Sequence, residues 1–134
     1  MMTFSDAVIE DRLKALTRAL DAKASGGKLL LYSGTQPAAG AATTQTVLVE
    51  LIFPKPSAGS VSNKILSINN PAAAMALADG TVTWARLVDG DGGWVADCDA
   101  GGQASTAVVR IQNADGQVYA GGSVTVTLAQ LKEV

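Results

Sequence analysis

The chain has 134 residues, of which 48% are hydrophobic, 4% aromatic and 16% charged, with ten Lys and Arg against twelve Asp and Glu. The absence of histidine excludes imidazole catalysis and His-ligated metals, and the single cysteine, Cys98, excludes an internal disulfide and a multi-cysteine zinc site. Without a cluster of Lys and Arg or a long apolar run, we expect neither nucleic-acid binding nor membrane insertion. We expect one soluble domain, residues 1–134, made in the cytoplasm.

The first predicted element is an amphipathic helix over residues 5–25. Its apolar residues recur at spacings of four, three and four, which places them on one face. Ser5 is the expected N-cap, and Gly26 and Gly27 are the expected left-handed stop. The apolar stripe consists of Ile9, Leu13, Leu16 and Leu20.

The stripe has to be buried against a partner. We expect it to dock on the protein's own sheet, and docking on a neighbouring subunit is the alternative. Its expected partner face is the set of alternating apolar residues Val47, Val49, Leu51 and Phe53.

From Lys28 onward the apolar period changes to two, which is typical of strands. Strands are predicted at 28–32, 46–53, 64–69, 81–88, 94–99, 106–112, 117–120 and 123–131. The intervening segments are a loop or weak edge strand at 57–63, a short helical turn or irregular connection at 71–78, a turn at 89–93, a glycine loop at 100–104, a hairpin turn at 113–116 and a bulge at 121–122. The expected fold is mainly β, an antiparallel sandwich or barrel of six to eight strands (28–131) preceded by one N-terminal helix.

Five carboxylates fall within 21 residues that contain one cation, Arg86; they are Asp79, Asp89, Asp91, Asp97 and Asp99. Asp89 and Asp91 superficially resemble the start of a calcium loop, but Gly93 occupies the third ligand position. We therefore favour a turn built by Asp and Gly, with a weak cation site at Asp89 and Asp91 as the alternative.

The remaining chemistry-bearing residues have structural interpretations. Asp97 and Asp99 lie on one strand face, as the two carboxylates of a glycosidase would. A carbohydrate cleft would usually also need aromatic platforms, and Trp84 and Trp94 are expected in the core instead. No catalytic residue, cofactor or enzymatic activity is therefore predicted. Cys98 is predicted to be a buried small hydrophobe. Arg86 and Arg110 are expected to form a solvent-facing or cross-strand ion pair with the acidic loop strand, and a subunit contact is the alternative.

Several runs over residues 11–131 carry a resemblance. They are R-L-K-A-L-T-R-A-L-D-A, then G-K-L-x-L-Y-S-G-T-Q-P, T-x-T-V-L-V-E-L-x-F-x-x-P, A-D-G-T-V-T-W-A-R-L-V-D-G-D-G and a terminal S-V-T-V-T-L. In this order they resemble small virion structural proteins of tailed bacteriophages and prophages. The resemblance implies a non-enzymatic, multi-copy component of the virion.

The leading expectation is a minor capsid or decoration protein that binds and stabilises the shell as a homo-oligomer, with a trimer as one candidate number. Its partners would be the major capsid protein or other virion proteins. The alternatives are a tail-associated component (tube, baseplate or fibre attachment) and a surface module that binds carbohydrate or a cation through its acidic loop. The candidate interface residues are Ile9, Leu13, Leu16, Leu20, Arg86 and Arg110.

Overall fold

The structure is a computed structural model that describes residues 1–132. It begins with one helix, α1 (Asp6–Leu20), and continues as strands, which confirms a mainly β fold with an N-terminal helix. The strands are β1 (Lys28–Tyr32), β2 (Val47–Ile52), β3 (Ala58–Ser62), β4 (Ile65–Ile68), β5 (Ala74–Met75), β6 (Gly80–Thr81), β7 (Trp84–Val88), β8 (Trp94–Gly102), β9 (Val109–Ile111), β10 (Gln117–Val118), β11 (Ser123–Val124) and β12 (Val126–Lys132).

Eight strands form one curled sheet, a half-barrel, in the order β2-β1-β7-β8-β9-β12-β4-β3. The short strands form two small pairs, β10 with β6 and β11 with β5. Neighbours in the large sheet are antiparallel except β8 and β9, which are parallel with Ala100 opposite Val109. The sequence therefore predicted the antiparallel character correctly but missed one parallel pair.

Strand β8 is longer than predicted, because it continues through Gly101 and Gly102 where a loop at 100–104 was expected. A Cβ atom on Gly102 would lie only 2.2 Å from the carbonyl oxygen of Ala114. The two glycines therefore do not form a turn. They lie in the strand, where the absence of a side chain lets another segment of the chain approach closely.

Helix α1 begins as predicted and ends earlier. Ser5 is the N-cap, and its hydroxyl accepts a hydrogen bond from the backbone N–H of Val8 at 3.3 Å. The helix ends at Leu20, not near residue 25, and the carboxylate of the C-cap Asp21 accepts from the backbone N–H of Ser57 at 3.1 Å. Neither Gly26 nor Gly27 has a positive φ, so neither is the left-handed stop that was predicted. The carbonyl of Gly27 accepts from Phe53 N–H at 2.8 Å and extends the β1–β2 ladder.

The helix docks on its own sheet, as expected, but mainly against other strands than β2. Leu13, Thr17 and Leu20 are buried, whereas Ile9 and Leu16 are partly buried. The principal contacts of α1 are with β3, β4 and β8, not with the apolar face of β2. Among the described residues, no helix is long and apolar enough to cross a membrane.

The apolar face predicted for β2 is interrupted by an irregularity. Val49, Leu51 and Phe53 are buried in the core, but the register with β1 shifts before Val49, and Leu48 is buried as well. Val47, which was expected on the same face, is only partly buried. The shift breaks the strict alternation on which the prediction depended.

The middle of the chain departs most from expectation. Residues 71–78 contain no helical turn; β5 pairs with β11, and the Leu77 N–H donates to the Leu48 carbonyl at 2.7 Å. The predicted strand 81–88 is divided into β6 and β7, since the N–H of Val82 donates to the carbonyl of Gly116.

The two glycine-containing turns near the end also differ from prediction. The segment 113–116 turns with Gly116 at φ +79°, but β9 and β10 do not pair, so it is not a hairpin. At 121–122 the chain makes a turn, not a bulge, in which Gly122 N–H donates to the Tyr119 carbonyl. The predicted last strand is correspondingly split into β11 and β12.

Candidate functional site

A densely hydrogen-bonded polar cluster lies on the outer face of the half-barrel, where Arg86 on β7 is directly opposite Asp97 on β8. Arg86 Nε and Nη2 donate to the two Asp97 carboxylate oxygens at 2.7 and 3.1 Å. The side chains are only 12% and 2% exposed. The predicted cross-strand ion pair is therefore confirmed for Arg86. Its guanidinium is bound to groups of the same chain.

A loop of small residues, 34–45, is tied to this ion pair; we call it the strap. Gly40 N–H donates to Asp97 Oδ2 at 3.2 Å, and Arg86 Nη2 donates to the carbonyl of Ala41 at 2.7 Å. At its ends, Thr83 Oγ1 donates to the Gly34 carbonyl and Trp84 Nε1 to Gln45 Oε1. The ion pair therefore fixes an otherwise irregular segment to the sheet.

Both tryptophans of the chain belong to this cluster. Trp84 is buried and stacks on Tyr32 with ring centroids 4.3 Å apart. Trp94 was predicted in the core but is 49% exposed; its Nε1 donates to Asp97 Oδ1 at 3.1 Å, and its indole ring packs against Gly40. Trp94 thus covers the strap rather than filling the interior.

The electrostatics of the cluster stabilise its charged forms. Burial alone would raise the pKa of Asp97, but hydrogen bonds from Arg86, Gly40 and Trp94 outweigh it, and the pKa lies below its ordinary value. The hydrogen bond to Asp97 raises the pKa of Arg86. Burial raises the pKa of the Tyr32 phenol. These groups are held in fixed protonation states near neutral pH, which suits an anchoring role.

The acidic turn at 89–93 has the hydrogen bonds of a turn. Asp89 Oδ1 accepts from the backbone N–H groups of Asp91 and Gly93 at 3.0 and 2.8 Å. Asp91 remains outside, with a side chain 72% exposed and one contact of 3.9 Å to Lys23. Within residues 1–132, no group of three or more His, Cys, Asp or Glu is placed to hold a metal ion.

The other β8 residues singled out from the sequence have separate partners. Asp99 is exposed, and Oδ1 accepts from the Val108 N–H at 3.0 Å, whereas Asp97 is committed to Arg86. Cys98 packs against the core, and burial together with the neighbouring Asp99 and Asp97 raises the pKa of its thiol to about 12. Cys98 was predicted to be a buried small hydrophobe, and it is only partly buried against the core.

Arg110 lines a cleft of about 340 Å³ on the outer surface formed by β9, β12 and β4; we call it the basic cleft. Arg110 Nε donates to the carbonyl of Ala107 at 3.0 Å, and Lys132 joins Arg110 in the cleft lining. The sequence identified Arg110 as a candidate interface residue but could not pair it with Lys132, because the β9–β12 pairing is not evident from local pattern. The other lining residues are Ile65, Thr106, Ala107, Val108, Leu128, Gln130 and Leu131.

Three large apolar side chains are exposed where the short strands meet; we call Met75, Leu77 and Tyr119 the apolar end. Each is 64% exposed. Their segments are joined by backbone hydrogen bonds between Ala76 and the turn at 121–122. The sequence did not single out this surface, and its only signal is the outward position of Met75 and Leu77 on either side of buried Ala76.

A scan against protein-family models and searches of curated proteins and of solved structures gave no match. The side chains at these surfaces are therefore the basis for inferring what the protein does.

Proposed function

We propose that the protein is a non-enzymatic structural component of a bacteriophage virion, a minor capsid or decoration protein that binds and stabilises the shell as an oligomer. The observation that carries the proposal is the apolar end. Its three side chains are held on hydrogen-bonded backbone and exposed together, as in surfaces that contact another protein.

The magnitude of this contact favours attachment in many copies. Burying one large apolar side chain contributes about 1.5–3 kcal/mol, so three contribute about 5 kcal/mol from their present exposure. That is comparable with the entropic cost of association, roughly 4–15 kcal/mol. A single contact is weak, whereas an oligomer that makes several such contacts on a repetitive shell binds tightly through avidity.

The composition of the surface supports the same proposal. Only 16% of the residues are charged, so covering this domain with another protein desolvates few isolated charges. We interpret the curled sheet as an opened barrel with the helix packed on it, the barrel form of the predicted architecture. Such a domain presents outer strands and loops to neighbours while its core remains closed.

The proposal is tested by co-sedimentation with capsids assembled from the major capsid protein of the same phage or prophage, and in parallel with isolated tails. We expect saturable binding to capsids. The double variant Leu77→Ser, Tyr119→Ser should weaken that binding at least about tenfold, because it removes most of the apolar contact.

The matched control is Ile52→Ser, which also changes an exposed apolar side chain but lies at the end of β2 opposite Lys28, away from Leu48, whose carbonyl accepts from Leu77. It should bind like the unsubstituted protein. Binding to tails alone would replace the decoration role with the tail-associated one. Failure to bind either particle would overturn the virion proposal.

A further inference from the structure

The basic cleft has the chemistry of a carboxylate site. Among residues 1–132, its lining includes two cations, Arg110 and Lys132, and no acidic residue. Arg110 is oriented by the hydrogen bond from its Nε to Ala107, and neither cation forms an ion pair with a carboxylate in the described part of the chain. A guanidinium fixed at Nε retains donors suited to a planar carboxylate.

The described part of the chain supplies few carboxylates that could enter such a cleft. Among residues 1–132, nearly all acidic side chains accept a hydrogen bond or form a close ion pair within the protein. The exceptions are Asp11, and Asp91 with its single 3.9 Å contact to Lys23. The engaged carboxylates are Asp6, Glu10, Asp21, Glu50, Asp79, Asp89, Asp97, Asp99 and Asp115.

Of these two residues, Asp91 lies on a segment that can enter a cleft. It lies at the tip of a turn between Gly90 and Gly92, and a Cβ added to Gly92, which has φ +85°, would meet no atom within 4 Å. The tip is therefore open to solvent on the Gly92 side, whereas on the Gly90 side the turn packs against the backbone of Ser25. Asp11, by contrast, lies on the surface of α1, where the helix body prevents insertion.

We propose that the turn at Asp91 of one copy docks into the basic cleft of a second copy, where its carboxylate pairs with Arg110 and Lys132. The turn and the cleft are different surfaces, so the contact is heterologous and joins copies head to tail, in a ring if the rotation closes. This inference rests on the oligomeric state in the proposed function and identifies the contact between copies. Opposite charges on the two surfaces orient the approaching copies and raise the rate constant of their association.

The test measures solution mass by light scattering over a range of concentration and salt. We expect an oligomer that dissociates on dilution and as NaCl rises from about 0.05 to about 0.5 M, since exposed charges are screened. Asp91→Arg and Lys132→Asp should each raise the dissociation constant at least about tenfold. The combination of both substitutions should restore association, because the charges are exchanged across the contact.

Asp11→Arg is the matched control, because it makes the same change of charge at the other unengaged carboxylate. It should associate like the unsubstituted protein. Lys132 is exposed, so Lys132→Asp tests the cleft without disturbing the packing around Arg110. A protein that is monomeric at about 0.5 mM, or an oligomer that Asp91→Arg leaves unchanged, would overturn the contact.

Capsid co-sedimentation separates this contact from the function on which it rests. A monomer that still binds capsids refutes the head-to-tail contact and leaves the virion role supported. An oligomer broken by Asp91→Arg and restored by the exchange, but unable to bind capsids or tails, supports the contact and refutes the virion role.

Discussion

Replacing Asp97 by Asn should destabilise the protein and release the strap. The substitution retains the size of the side chain but removes the charge that Arg86 faces at 2.7 and 3.1 Å. Arg86 would then remain 12% exposed with no opposite charge in contact, and the hydrogen bond that anchors the strap at Gly40 would be weakened. Leaving one member of a buried ion pair unpaired is more costly than replacing both.

The magnitude follows from these contacts. Breaking a buried ion pair by changing one partner costs about 3–5 kcal/mol. An Asn oxygen can still accept one hydrogen bond from Gly40 or Trp94, so we expect the lower end, about 3 kcal/mol in the free energy of unfolding. For a domain of this length, that corresponds to a fall in Tm of roughly 10 °C.

Denaturant unfolding followed by tryptophan fluorescence measures this effect directly, because Trp84 and Trp94 both belong to the cluster. Elastase digestion in native buffer detects strap release separately, since residues 34–45 are rich in alanine. Asp99→Asn is the control: it lies on the same strand and makes one hydrogen bond from an exposed position, so it should cost less than about 1 kcal/mol. A change below about 0.5 kcal/mol for Asp97→Asn would refute the reasoning.

Three further results are expected. Because the pKa of Asp97 lies below its ordinary value of 3.8, the ion pair contributes its full stability above about pH 5 and loses it as the pH falls below about 4. The difference in unfolding free energy between the unsubstituted protein and Asp97→Asn, measured by denaturant titration, should therefore be constant from about pH 5 to 7 and shrink in acid. A constant difference down to about pH 2 would contradict this. The pKa of about 12 at Cys98 predicts native alkylation by iodoacetamide at pH 8 at least roughly a hundredfold slower than in denaturant, followed by mass spectrometry. Leu20→Ala should lower the unfolding free energy by about 3 kcal/mol, whereas Val8→Ala, at an exposed position on the same helix, should change it by less than 1 kcal/mol; equal effects would show that α1 does not dock as described.

Elements whose signals are local could be predicted from the sequence. The N-cap Ser5, the apolar stripe of α1 and the whole of β1 were found because capping chemistry and hydrophobic period act over a few residues. The ion pair of Arg86 with an acid on the next strand was also predicted, since β7 and β8 are joined by the short turn at 89–93. Adjacent elements along the chain were here adjacent in space.

Pairings between distant segments could not be predicted. The Asp115–Gly116 turn has the residues of a hairpin, yet the partner of β10 is β6, which comes earlier in the chain. The helix propensity of residues 71–78 is overridden because β5 pairs with β11 and the next residue, Ala76, donates to Gly122 and accepts from Gly121. Secondary-structure propensity describes a segment in isolation, whereas the backbone N–H and C=O groups of these segments find their hydrogen-bond partners in segments remote in sequence.

The candidate surfaces were missed for the same reason. Trp94 follows the alternation of a buried strand residue, but the strap approaches that face and converts the indole into its cover. Arg110 and Lys132 are 22 positions apart and meet only because β9 pairs with β12. Neither proximity, of the strap to Trp94 or of Arg110 to Lys132, can be recognised from the local pattern of a single sequence.

The place of β12 in the sheet has a consequence for the order in which the protein is made. β12 is hydrogen-bonded to β9 on one side and β4 on the other, so the β3–β4 ribbon joins the large sheet only through it. During synthesis, that ribbon emerges long before the strand that attaches it, and most of the sheet depends on contacts between remote positions, which form slowly. We therefore expect the sheet to complete its folding in one cooperative step, and only after residues 126–132 have left the exit tunnel of the ribosome.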